Sequence, residues 1–129
     1  TTPGYRVAMN FLLDTNILID IHAGRIALVA LPGHYAYSVI SEIELLSWPA
    51  LTPAQEQELR YLLGHLHRVE LNAAVREAAI RLRRQYRLKL PDAIIAASAQ
   101  AHDATLLTND QQLLTLPALR CQSLALRNE

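Results

Sequence analysis

The chain has 129 residues, 51% of them hydrophobic, and a formal net charge of zero. That length and apolar content suit one domain with a full core, and zero net charge excludes binding to nucleic acid by bulk charge alone. Cys121 is the only cysteine, which excludes an internal disulfide and a thiolate metal cage, and no apolar run is long enough to span a membrane.

Residues 1–8 are expected to be a vector-derived or upstream remnant, and residues 9–129 a single domain opening at Met9. No basic segment leads into an apolar run at the start, so no secretory signal is expected and a cytoplasmic setting follows. Residues 10–13 predict a short buried strand. Asp14, Thr15 and Asn16 end it, with Asn16 placed to cap a helix over 17–22. Gly24 and the Pro32-Gly33 pair break the crossover to a second strand over 35–37. Ser38 then fits as the cap of a helix that stops before Pro49. Thr52, Pro53 and Gln55 combine an N-cap, a first-turn proline and a capping-box partner. The helix they open carries Leu59, Leu62, Leu63 and Leu66 as an apolar stripe.

A third strand is predicted over 68–71. Asn72 caps a helix to about Tyr86, with Val75, Ala79 and Leu82 inward. Pro91 opens a helix over 92–102 that is apolar on most sides and so should be buried. A strand over 105–107, a short helix over 110–114 and a strand over 122–126 complete the chain. Strands alternating with helices predict an α/β fold with a mainly parallel sheet.

Four acids, Asp14, Glu44, Asp92 and Asp110, stand at these strand-to-helix junctions or within a turn or two of them. At the carboxyl ends of an open parallel sheet such junctions converge on one crevice. At ~4 Å and an effective dielectric near 20, each carboxylate pair costs roughly 4 kcal/mol. A chain that gathers four therefore predicts a divalent cation between them, and a cation held this way suits phosphoryl chemistry.

Each acid has an ordinary role to set against that one. Asp14 could serve only as a helix N-cap, and Asp110 only as a turn or cap residue. Asp92 is harder to dismiss. The first-turn dipole favours an acid by only ~0.3–1 kcal/mol, which explains the acid but not its apolar company. Glu42 and Glu44 compete for one role. If Ser41 caps the helix, Glu44 closes a capping box and is engaged there. If Ser38 caps it, Glu44 lies nearly two turns in and can project into the crevice. Local rules leave both open.

The segments Leu12-Leu-Asp-Thr-Asn16, Ser38-Val-Ile-Ser-Glu-Ile-Glu-Leu-Leu46, Leu90-Pro-Asp-Ala-Ile-Ile-Ala-Ala97 and Leu106-Leu-Thr-Asn-Asp110 resemble, in order, the four motifs of the PIN-domain ribonucleases. They are most similar to the VapC-type toxins of toxin–antitoxin pairs, from about Phe11 to Leu119. The resemblance implies a PIN-like three-layer sandwich with helices on both faces of a mainly parallel sheet. It also implies Mg²⁺ or Mn²⁺ held by Asp14, Asp92 and Asp110, with Glu44 binding directly or through water. Asn16, Thr108 and Asn109 would be supporting residues, and the motif register selects Glu44 over Glu42. The family's last motif often continues with an acid and Phe, where this chain has Gln112 and Leu113. An RNA substrate, a cognate antitoxin and a homodimer are the implied partners.

The basic residues are nearly all arginine, Lys89 being the only lysine, and they thicken ahead of Asp92. Arg83, Arg84, Arg87 and Lys89 could grip RNA phosphates, with Tyr86 as a stacking face; a solvated helix face is the plain alternative. The five histidines show no metal-ligand spacing, and no Ser, Cys or His grouping suggests a covalent nucleophile. Two further classes stay open: a PIN-like module that binds RNA or protein without cutting, and a metal-dependent phosphatase. The second would need an acid where Asn16 stands.

Overall fold

In the computed structural model, which describes residues 9–27 and 33–127, the short apolar runs become one sheet. Its strands are β1 (Phe11–Leu13), β2 (Tyr35–Ser38), β3 (His67–Val69), β4 (Thr105–Leu107) and β5 (Cys121–Gln122). They lie in the order β3-β2-β1-β4-β5, and every pairing is parallel. Between them run α1 (Thr15–His22), α2 (Val39–Leu46), α3 (Pro53–Gly64), α4 (Ala73–Tyr86), α5 (Leu90–Ala101) and α6 (Gln111–Leu114). The expected remnant over 1–8 and Pro32 of the expected break lie outside the described residues.

Alternation along each strand sends neighbouring residues to opposite faces. Leu12, Ala36 and Leu106 pack with α4 and α5, while Leu13, Tyr37 and Leu107 pack with α1 and α3. Leu12, Leu13, Leu106 and Leu107 are fully buried, each contributing about 1.5–3 kcal/mol on transfer from water. Helices therefore cover both faces of a parallel sheet, the expected α/β arrangement. Burial of every residue over 93–99 in α5 follows from its apolar surface. Among the described residues no helix is long and apolar enough to cross a membrane.

Several boundaries differ from expectation. Asp14, not Asn16, caps α1, its side chain accepting from Thr15 N. A cap must precede the first helical residue, and the helix opens two residues earlier than its apolar pattern does. β3 ends at Val69, because its partner β2 stops at the opposite Ser38 and turns into α2. β5 covers only Cys121–Gln122, because β4 ends at Leu107. Beyond it Asn109 takes over, its side-chain amide pairing with both the N–H and the carbonyl of Leu124. The α3 stripe serves the protein's own core: Leu59 and Leu63 are buried, and Leu62 and Leu66 pack against them. The capping box of Thr52 and Gln55 forms as expected.

Candidate active site

The strand order reverses direction at β1, where β2 and β3 build outward on one side and β4 and β5 on the other. Open parallel sheets bind ligands at such a switch point, beyond the carboxyl ends of the strands. Asp14 directly follows β1, and Thr108 and Asp110 follow β4, so the two arms of the crevice carry acids by construction. α5 reaches the same place with its first turn, where Asp92 stands.

Asp14 is the innermost of these, only 4% exposed. Its Oδ1 accepts from Thr15 N at 2.8 Å, and its Oδ2 accepts from Thr108 Oγ1 at 2.7 Å. Burial, the strongest influence, raises the Asp14 pKa. The two hydrogen bonds oppose that shift, and the charges of Asp110 and Glu44 add to it. Asp92 is also raised, first by burial, then by the charges of Asp14 and Asp110, with Lys89 opposing. Asp110 caps α6, accepting from the backbone of Gln112 and Leu113, and its own N–H donates to Thr108 Oγ1 at 3.0 Å. Asp14, Asp92 and Asp110 thus share one electrostatic site.

Glu44 approaches from α2. Ser38 caps that helix by accepting from Ile40 N, which decides between the two serines and leaves Glu44 free of a capping box. Glu44 Oε1 accepts from Thr15 Oγ1 at 2.8 Å, and the same hydroxyl lies 2.7 Å from Ser41 Oγ. Glu42 points elsewhere, accepting from Tyr37 Oη and from Arg68. Thr15, given no site role from sequence, and Ser41, weighed there only as a helix cap, thus join α1 to α2 beside Asp14. Only the position of Thr15 next to Asp14 hinted at its use.

The expected supporting residues divide. Thr108 bonds Asp14 directly, whereas both polar atoms of the Asn109 side chain hold the C-terminal segment. Asn16 is exposed and lines a cleft with Thr15 and Glu44. The basic residues also divide. Lys89 is close enough for its charge to be felt at Asp92, while Arg83, Arg84 and Arg87 line a separate groove. Tyr86 is half-buried against the core rather than presented for stacking.

The donor set is all oxygen, which suits a hard divalent cation. A buried carboxylate among like charges also gains from a cation. Among the described residues no three acids close into a ready-made ligand cluster.

A doubly wound α/β domain with acids at its switch point is the class that fold and site define. The chain belongs to the PIN domain family, whose model matches residues 11–119. A chain of a toxin–antitoxin complex from Klebsiella pneumoniae is 38% identical; the match covers 84% of this chain and 94% of that one, with a TM-score of 0.75. VapBC2 from Rickettsia felis, bound to a DNA fragment from its promoter, is 24% identical over 90% of this chain and 99% of that one, with a TM-score of 0.74. VapBC-1 from nontypeable Haemophilus influenzae is 24% identical over 89% and 98%, with a TM-score of 0.72. At that identity the last two speak for the fold alone. A search of curated proteins finds no match.

Proposed function

We propose that the chain is a divalent-metal-dependent endoribonuclease and the toxin of a toxin–antitoxin pair. The observation that carries this reading is the buried Asp14 at the switch point, raised by burial and by the charges of Asp110 and Glu44, with Asp92 raised by burial and by the charges of Asp14 and Asp110. The 38% identity to a chain of a toxin–antitoxin complex supports the biological role.

Asp14, Asp92 and Asp110 would hold Mg²⁺ or Mn²⁺, with Glu44 engaged directly or through water. When bound, the cation lowers the pKa of a water and stabilises the charge developing on the phosphodiester. Thr108 and Thr15 N fix both oxygens of Asp14, so that carboxylate meets its ligand in one orientation. Thr15 Oγ1 anchors Glu44 on the facing wall. Arg83, Arg84, Arg87 and Lys89 supply the nearby positive charge for RNA phosphates, and the protein would act in the cytoplasm as a homodimer held silent by its antitoxin.

Incubating the purified chain with RNA and Mg²⁺ or Mn²⁺, beside a chelator control and a generic phosphate ester, tests the reading. Metal-dependent cutting of RNA alone is expected. RNA binding without cutting would make the chain a binding module, and ester hydrolysis alone would make it a phosphatase.

A further inference from the structure

A serine inside a helix commonly bonds back to its own backbone, four residues earlier. Ser98 does so in α5, donating to the Ile94 carbonyl at 2.7 Å. Ser41 does not. Fully buried on α2, its Oγ reaches across to α1 and lies 2.7 Å from Thr15 Oγ1. Ser38 caps α2, so capping gives no reason for a hydroxyl at 41.

The direction of the bond follows from a proton count. A hydroxyl carries one proton. Thr15 gives its own to Glu44 Oε1 at 2.8 Å, so the proton between Ser41 and Thr15 belongs to Ser41. The chain therefore runs from Ser41 to Thr15 to Glu44, and each bond polarises the next. Ser41 and Glu44 stand three residues apart on one face of α2, which sets both within reach of a single hydroxyl. That hydroxyl belongs to the first residue of α1, whose N–H also holds Asp14 Oδ1 at 2.8 Å. One residue thus orients an acid on each wall of the crevice.

Glu44 needs such help. It is exposed, and an exposed glutamate spreads over many rotamers unless something holds it. Threonine in a helix divides between two χ1 rotamers, and the proton from Ser41 favours the one that faces α2.

We propose that Ser41 is a positioning residue for the metal site: its hydroxyl sets Thr15, and Thr15 in turn holds the Glu44 carboxylate in place for a divalent cation. Fully buried, Ser41 touches neither cation nor RNA and works only through this relay. This rests on the metal-dependent nuclease reading and extends its site beyond the four acids.

The test titrates Mn²⁺ into the whole chain without RNA and reads binding by calorimetry. Ser41→Ala removes the donor without adding volume, and Ser41→Cys keeps the shape with a weak donor. Melting curves show which variants are folded, and Ser41→Cys carries the comparison if Ser41→Ala is not. Ser41→Ala should weaken Mn²⁺ binding about tenfold, as the loss of a group that orients a ligand from behind does. Ser41→Cys should fall between it and the wild type. Thr15→Ser keeps the relaying hydroxyl and should bind Mn²⁺ more tightly than Thr15→Val. In the cutting assay the Ser41 variants should need correspondingly more metal for half-maximal rate. A Glu44→Ala background separates the relay from packing: there Ser41→Ala should alter Mn²⁺ affinity by less than about twofold.

Unchanged Mn²⁺ affinity in the folded Ser41 variants would overturn the proposal, whatever their melting temperatures. Equal weakening in the Glu44→Ala background would also overturn it, since Ser41 would then act by packing α1 against α2. A wild-type chain that binds no Mn²⁺ would overturn both the relay and the metal reading. Mn²⁺ binding that depends on Ser41, with no RNA ever cut, would remove the nuclease reading alone. Metal-dependent cutting with Mn²⁺ affinity indifferent to Ser41 would remove the relay alone.

Discussion

Thr108 donates its hydroxyl proton to Asp14 Oδ2 at 2.7 Å, tying together residues 94 apart in sequence at the ends of two neighbouring strands. Both are buried, and the same hydroxyl oxygen accepts from Asp110 N at 3.0 Å. One side chain thus orients the innermost acid and the backbone of a second. Its bond pulls the Asp14 pKa down against burial and against the charges of Asp110 and Glu44, which together leave it raised.

Thr108→Val keeps the shape and removes that donor. Asp14 should then rise further, and a buried carboxylate oxygen loses a bond worth about 1–3 kcal/mol. We expect a lower melting temperature and cutting reduced by about tenfold or more, the equivalent of ~1.4 kcal/mol of barrier. The acid limb of the pH–rate profile should move to higher pH. A profile that stays in place would separate Thr108 from the ionisation of Asp14.

The raised values at Asp14 and Asp92 fix the sign of a stability effect. An acid whose folded-state pKa lies above its unfolded value holds its proton more tightly when folded, so protonation stabilises the fold. That contribution is complete below the unfolded value near ~3.9 and is lost as pH rises through the raised folded value. The metal-free chain should therefore lose stability from these two groups as pH rises from the unfolded carboxylate range through their raised folded values. Mg²⁺ or Mn²⁺ should restore it at neutral pH by binding the folded state. Melting curves across pH, with and without metal, check this; a neutral-pH melting temperature unmoved by excess metal would count against the site.

Asp14→Asn and Asp92→Asn should each abolish divalent-dependent cutting and leave the fold intact or slightly more stable. The gain should be clearer at Asp92, because Asn at 14 gives up the bond from Thr108 while relieving the repulsion. Full cutting by either variant, free of contaminating nuclease, would end the metal assignment.

Much of this site was legible because the sequence marks strand ends sharply. Phe11–Leu13 and Leu106-Leu107 are apolar pairs or triplets followed at once by polar residues, and both acids at the switch point sit just past them. Less legible was anything decided between distant segments. Whether Ser38 or Ser41 capped α2 depended on where β2 ended, and the length of β3 depended on the same point. The use of Thr15 and Ser41 depended on α1 meeting α2, which no local pattern records. Asn16 has good capping chemistry and lost that place to Asp14, because the helix began earlier than its apolar stripe.

With Ser38 as the cap, the two glutamates separate in role. Glu44→Gln should lose most activity, whereas Glu42→Gln should keep most of it. Glu42 instead accepts from Tyr37, whose hydroxyl is pushed up to about 12, by burial first and then by Glu42 itself. It also pairs with the half-exposed Arg68, so its loss should cost only a few tenths to ~1 kcal/mol. Melting and initial-rate measurements on both variants check the pair. The opposite pattern would place the working carboxylate at Glu42.

The last prediction concerns assembly and inhibition. A homodimer is expected, and light scattering at tens of micromolar checks it; a monomer mass would count against it. The α3 leucines serve the chain's own core, which leaves Tyr61, 73% exposed, as the large apolar side chain that this helix presents to solvent. An antitoxin that silences the chain meets an acidic crevice in which, among the described residues, the exposed Lys89 is the cation whose charge is felt at Asp92. Electrostatic complementarity favours an arginine or lysine delivered to Asp14, Asp92 and Asp110 in place of the metal. If the antitoxin works this way, cation and inhibitor compete for one set of carboxylates. Titrating Mg²⁺ or Mn²⁺ into the purified complex should then shift the inhibition curve towards higher antitoxin concentration. Inhibition that stays constant across the metal titration would mean that the antitoxin acts away from the acids.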